Sequence, residues 1–74
     1  MSELINAVIR NDIDQVETLL EDEDVLDDMN NQDDNGNTAL MHAINNENTE
    51  MVETLLENGA NPNIMNNNEE TALM

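Results

Sequence analysis

Cysteine, phenylalanine, tyrosine and tryptophan are absent from the 74-residue chain, and Arg10 alone supplies its Lys and Arg count. Each absence removes a class of function. Without cysteine there is neither a disulfide nor a thiolate zinc site to staple a small domain. Without aromatics there is no base-stacking platform and no aromatic interface anchor. Eighteen Asp and Glu against one cation give a formal charge of −17. That balance argues against nucleic acid and against anionic membrane as partners, because both are gripped through Lys and Arg. No apolar run approaches the ~20 residues of a membrane span, and no basic-then-apolar leader opens the chain. The expectation is an acidic intracellular protein, cytoplasmic in the first place and nuclear in the second.

A chain this short buries only about 60–65% of its unfolded surface, so its core is thin. Seventeen residues are Leu, Ile or Val, just above the ~20% below which highly charged chains are usually disordered. Composition leaves order undecided, and pattern has to settle it.

The pattern is a repeat. Val16-Glu17-Thr18-Leu19-Leu20-Glu21 recurs letter for letter as Val52-Glu53-Thr54-Leu55-Leu56-Glu57, an offset of 36. The same offset carries Leu4 to Leu40, Ala7 to Ala43 and Val8 to Ile44. A second offset, 33, carries Thr38-Ala39-Leu40-Met41 onto Thr71-Ala72-Leu73-Met74. Each unit reads as two short helices. Ser2 is a candidate N-cap before Leu4, Ile5, Val8 and Ile9 at helical spacing. Asp12 and Gln15 have capping-box spacing before Ile13, Val16, Leu19 and Leu20. Thr38 caps a helix carrying Leu40, Met41, Ala43 and Ile44, and Asn48 caps one carrying Met51, Val52, Leu55 and Leu56. Gly59 then supplies a stop, and Pro62 bars continuation. Helices of ~8–10 residues do not persist alone in water, so they must stack. Small residues at matching places (Ala7, Ala43, Ala72) let backbones approach, which is solenoid logic.

Asp33-x-x-Gly36-x-Thr38-Ala39-Leu40-x-x-Ala43, followed by Glu50-x-Val52-x-x-Leu55-Leu56-x-x-Gly59-Ala60-Asn61-x-Asn63, resembles the ankyrin-repeat family in order and spacing. The resemblance runs from about Glu3 to Met74. It implies an all-α fold, an ankyrin-repeat solenoid of stacked helix-turn-helix pairs joined by hairpin-like loops. The whole chain would be a single domain, with repeat 1 at about 2–31, repeat 2 at about 32–64 and a partial repeat 3 at about 65–74. Two departures stand out. Met41 replaces the family's inter-repeat histidine, and Glu47 stands where a glycine with positive φ belongs; Asn11, its counterpart, tolerates that conformation better. Met74 falls within the first helix of the third unit, leaving Leu55 and Leu56 facing at most a stub. This reads as a piece of a longer array, the alternative being a face that something else covers.

Little in the sequence suits catalysis, and the chain reads as neither an enzyme nor a cofactor carrier. His42 has no Cys, Lys or Ser neighbour and reads as a histidine tucked among repeat contacts; Ser2 is better explained as a cap. With eighteen acids, no carboxylate pair stands out as acid and base. Asn31-Gln32-Asp33-Asp34-Asn35-Gly36 opens like a calcium-binding loop, but Thr38 and His42 occupy the eighth and twelfth positions, where an aliphatic residue and a bidentate Glu belong. A tight hairpin tip at Asp33 to Gly36 explains it better. Glu21 to Asp34 reads as a solvated loop pinned by Val25, Leu26 and Met29, or else as a docking surface for a basic partner. The asparagine surplus reads as compositional.

The resemblance implies partner binding through hairpin tips and the exposed sides of the first helices. On this sequence that surface is Gln32, Asp34, Asn35, Asn37, Asn45 and Asn46 in unit two, Ile9 and Arg10 in unit one, and Met65, Asn67, Asn68 and Glu70 in unit three. The expected partner is another protein, with a polar or basic surface; the oligomeric state stays open. Two other functions compete: an acidic decoy that occupies a basic nucleic-acid-binding or toxin protein, and a purely structural segment of a longer array.

Self-repulsion at −17 on 74 residues opposes compaction. Raising salt from about 10 to about 300 mM shortens the screening length from roughly 30 to 6 Å and should raise both helical circular dichroism and Tm. A Tm that stays flat or falls across that range would contradict the expectation.

Overall fold

The computed structural model of the chain describes residues 2–72. It contains five helices and, among the described residues, no strand. Each helix opens on a side chain that satisfies an otherwise orphaned backbone N–H. Ser2 accepts from the Ile5 N–H at 3.3 Å to start α1, Glu3–Ile9. Asp12 accepts from Gln15 at 3.2 Å before α2, Ile13–Leu19. Asp22 accepts from Asp24 at 2.9 Å before α3, Glu23–Asp27. Thr38 accepts from Met41 at 3.4 Å before α4, Ala39–Asn45, and Asn48 accepts from Met51 at 3.1 Å before α5, Thr49–Glu57. Met41 is more than an absent histidine: its sulfur lies 3.5 Å from the Thr38 N–H and closes the cap from the other side.

The reading of Glu21 to Asp34 as a loop needs correction, because it contains α3. The pinning residues behave as expected. Val25 and Leu26 pack half-buried against the core and Met29 is buried. Three apolar residues bring this acidic segment onto the core, and one helical turn satisfies its backbone on the way.

α1 packs on α2, α4 on α5, and α1 on α4. Leu4, Ile5, Val8, Val16, Leu20, Met29, Leu40, Met51 and Leu55 form one buried cluster. Fully burying such a side chain contributes about 1.5–3 kcal/mol. Ala7 and Ala43, read as close-approach positions, are both fully buried. The α1–α2 and α4–α5 turns are built alike. Asn11 and Glu47 have φ of 59° and 58°, and the Asp12 and Asn48 N–H groups return to Ala7 O at 3.0 Å and Ala43 O at 3.2 Å. Glu47 thus adopts the left-handed conformation expected for its place.

Two tight loops complete the framework. In the first, the Gly36 N–H donates to Asp33 O at 2.9 Å and the Asp33 N–H to Asn37 O at 2.9 Å. In the second, Glu69 donates to Asn66 O at 3.0 Å and Asn66 to Glu70 O at 2.9 Å, the same pattern 33 residues on. The loops touch. A Cβ at Gly36 would meet the Asn67 nitrogen at 2.7 Å and the Asn66 Cα at 3.0 Å, whereas a Cβ at Gly59 meets nothing within 4 Å.

Both glycines have positive φ, 80° at Gly36 and 103° at Gly59. Alanine at Gly59 should therefore cost only backbone strain, about 1–2 kcal/mol. Alanine at Gly36 adds a backbone clash and should cost at least about 1 kcal/mol more. Urea unfolding of both variants checks this, and equal losses would mean that the loops do not stack as described.

Candidate functional site

The loops are joined by amide side chains. Gln32 donates to Gly36 O at 2.8 Å within its own loop and to Met65 O at 2.7 Å across to the next. Asn66 donates to Asn37 Oδ1 at 2.8 Å. Asn67 donates through its backbone to Asn35 O at 3.0 Å and through its side chain to Asp34 O at 3.0 Å. Elsewhere the Asn30 side chain accepts from the Asn61 N–H at 2.7 Å, tying the loop after α3 to the loop after α5. The asparagines are therefore not merely compositional. They cap, turn and bridge.

The first loop is anchored to α4 by a histidine–carboxylate hydrogen bond, the only such pair among the described residues. His42 Nε2 lies 2.8 Å from Asp33 Oδ2, and the Asp33 side chain is 9% exposed. The other Asp33 oxygen accepts from Asn35 at 3.0 Å and Asn37 at 2.9 Å. Burial pushes the Asp33 carboxyl up. The His42 hydrogen bond, the two backbone N–H groups and the charge on His42 outweigh it and hold the group below its ordinary value of 3.8. His42 occupies the tucked position expected of it.

Two recesses border this framework. One, about 360 Å³, lies between α4 and the second loop, and Asn37, Asn45, Asn68 and Glu70 line it together. Their neighbours there include Met41, His42, Ile44, Glu47 and Ala72, none of them among the residues expected at the binding surface. The other, about 510 Å³, lies between the start of α1, α3 and the first loop, and it brings Gln32 and Asp34 beside Leu4, Val25 and Asp28.

The remaining expected residues line neither recess. Ile9 and Arg10 are exposed at the end of α1. Asn35 and Met65 are exposed, Met65 at 56%, and lend their carbonyl oxygens to the loop stack. Asn67 is the bridge itself. Asn46 covers the end of α1, its amide donating to Val8 O at 3.2 Å and to Ile9 O and Asn11 Oδ1 at 3.4 Å each. By contrast, Asn45 and Asn68 are exposed, and their side chains make no hydrogen bond among the described residues. The missed residue with the clearest signal is Ile44. The offset of 36 makes it the counterpart of Val8, yet Val8 is fully buried and Ile44 is 38% exposed.

The family described as ankyrin repeats, in three copies, matches the chain over residues 4–74. No curated protein matches the chain. No helix among the described residues is long and apolar enough to cross a membrane.

Because the folded Asp33 carboxyl ionises below 3.8, its contribution to stability is complete above that value. It is lost as pH falls through the lower folded value. Asp33→Ala should cost about 2–4 kcal/mol at pH 7 through three lost hydrogen bonds, two to backbone and one to His42. The gap from the parent chain should narrow below pH 3.8. Denaturant unfolding at neutral and acid pH checks both statements; a gap independent of pH would remove the carboxylate from the account.

Proposed function

Since the chain belongs to the ankyrin-repeat family, whose members generally serve as protein–protein interaction modules, we propose that it is a non-catalytic binding module for another protein with a polar or basic surface. On this reading the repeats run over about 2–31, 32–64 and 65–74. Contact is made through the loop tips and the exposed side of the first helices. The observation that carries the proposal is the recess beside α4. Asn45 and Asn68 hold uncommitted amides there, next to exposed Ile44 and the carboxylates of Glu47 and Glu70. Free hydrogen-bonding groups around an apolar patch provide specificity and a small desolvated centre. The charge of −17 supplies long-range steering toward a basic partner. Large anchors are absent, which favours modest affinity.

The test separates shape from charge. The immobilised chain is used to retain a partner from native lysate, and the retained protein is then titrated against variants. Asn45→Lys with Asn68→Lys changes the charge by as much as Glu17→Gln with Glu53→Gln, but only the first pair lies in the recess. The recess pair should weaken binding by at least about tenfold and the distant pair by less than about twofold. Equal losses, together with a steep fall in affinity between low and moderate salt, would mean that the chain acts as an acidic decoy instead.

A further inference from the structure

We propose that Asn58, at the end of α5, is a site of spontaneous deamidation in the folded chain, and that the stacked loops protect its sequence twin, Asn35. The proposal is independent of the docking surface.

Both glycines of the chain follow an asparagine, as Asn35-Gly36 and Asn58-Gly59. That pairing carries its own chemistry. The glycine backbone nitrogen attacks the asparagine Cγ and a C–N bond forms. The Cγ–Nδ2 bond breaks, and the amide nitrogen leaves as ammonia with the proton of the glycine N–H. Water then opens the cyclic imide at either carbonyl, giving aspartate or isoaspartate and one further negative charge. Glycine favours the attack because it has no Cβ to hinder it and its backbone turns freely. Sequence makes the two sites equal. The fold does not.

At Asn35-Gly36 the peptide that must swing toward the side chain is held at both ends. Its carbonyl accepts from the Asn67 N–H at 3.0 Å, and its N–H donates to Asp33 O at 2.9 Å. Gln32 holds the next carbonyl, Gly36 O, at 2.8 Å. Gly36 is buried, with the Asn66 and Asn67 backbone against it. Turning this peptide parts the two loops.

Asn58 and Gly59 are both exposed, and nothing lies within 4 Å of a Cβ built on Gly59. The peptide N–H donates to Leu56 O at 3.2 Å, while its carbonyl accepts no hydrogen bond among the described residues. Two restraints have to yield. The Asn58 amide donates to Thr54 O at 2.8 Å, and ψ of 9° turns the Gly59 nitrogen away from Cγ. Both belong to the end of a helix, where opening costs little. This exposure does not depend on an uncovered face. The counterparts 36 residues earlier, Asp22 and Glu23, stay exposed with unit two stacked on unit one.

Isoaspartate routes the backbone through an additional carbon just before Gly59. That displaces the Ala60 N–H from Leu55 O, now 3.0 Å away, and the Asn61 N–H from Asn30 Oδ1, now 2.7 Å away. The second of these ties unit one to unit two, so conversion loosens the join.

The chain is incubated at neutral pH, folded and in urea, digested after glutamate to separate the two sites, and mapped by mass with detection of isoaspartate. In the folded chain Asn58 should convert at least about tenfold faster than Asn35, and in urea the two should agree within about twofold. Gln32→Ala, which removes one clamp on Gly36, should speed Asn35 at least about threefold and leave Asn58 within about twofold. Asn58→Gln keeps an amide on a longer side chain that closes the ring poorly, and should abolish conversion at that position. Chain aged to isoaspartate should melt below Asn58→Asp, which carries the charge without the longer backbone. Equal rates in the folded chain, the same ratio folded and in urea, or no conversion at Asn58 while the unfolded chain converts would each overturn the proposal. Equal acceleration of both sites by Gln32→Ala would remove the loops as the source of protection, and equal Tm would remove the loosened join.

Discussion

The contact between α1 and α4 is the constraint on which the rest depends. None of the helices exceeds nine residues, and α1, α2 and α4 have seven each. Nucleation makes helices of that length unstable alone in water. They persist because α1 and α4 bury Ala7, Val8, Leu40 and Ala43 between them, and alanine at two of those places lets the backbones come close. α2 and α5 then cover the outer sides of this pair through Val16, Met51 and Leu55. Disturbing the α1–α4 contact separates the two helix pairs and leaves each with only its own short partner.

Charge explains what cements the loops. A chain with eighteen acids and one arginine cannot join its surface loops by salt bridges, and carboxylates cannot bridge carbonyl oxygens because they only accept. The remaining donors are amides. Gln32, Asn46, Asn66 and Asn67 each donate a side-chain hydrogen bond across a span of 29 or more residues. The one carboxylate set deep in the loops, Asp33, is matched with the one histidine and two backbone N–H groups. An acidic protein of this kind is held together by neutral donors, and its negative charge stays free on the surface.

Much of this was legible in the residues themselves. The offsets of 36 and 33 located both helix pairs, their caps and the left-handed turns at Asn11 and Glu47, because caps and turns are local and have short signatures. Three features escaped. α3 is one turn long, so the helical spacing of Val25, Leu26 and Met29 is too short a run to separate a helix from a pinned loop. The bridging asparagines act between residues about 30 apart, and nothing near them in sequence marks which carbonyl they will meet. Glu69 takes φ of 63° at the place of Gly36, one offset of 33 later; the offset pointed there, but the residue did not. Of the residues expected at a binding surface, the recess assembles Asn37, Asn45, Asn68 and Glu70, while Asn46 and Asn67 spend their amides inside the chain. Family resemblance places residues on a face but does not show which of their hydrogen bonds are already taken.

In a repeated structure, a change between equivalent positions is informative because the backbone is a control. Val8 and Ile44 are near-identical in chemistry and differ in burial; Leu20 and Leu56 are identical and differ likewise. Asn11 and Glu47 share a backbone conformation and differ in charge. Gly36 and Glu69 share a turn, and only the first lies under a neighbouring loop, where a Cβ would collide. The first three pairs compare the face of unit one that meets unit two with the corresponding face of unit two, and the fourth compares units two and three. Where unit one meets unit two, Val8 and Leu20 are buried and the turn residue is a neutral asparagine; in unit two, Ile44 and Leu56 are exposed and the turn residue is glutamate. Packing alone does not select glutamate at a turn that prefers glycine or asparagine. The left-handed backbone at Glu47 is kept despite that preference, and it sets a carboxylate beside exposed Ile44 in the recess proposed as the docking surface.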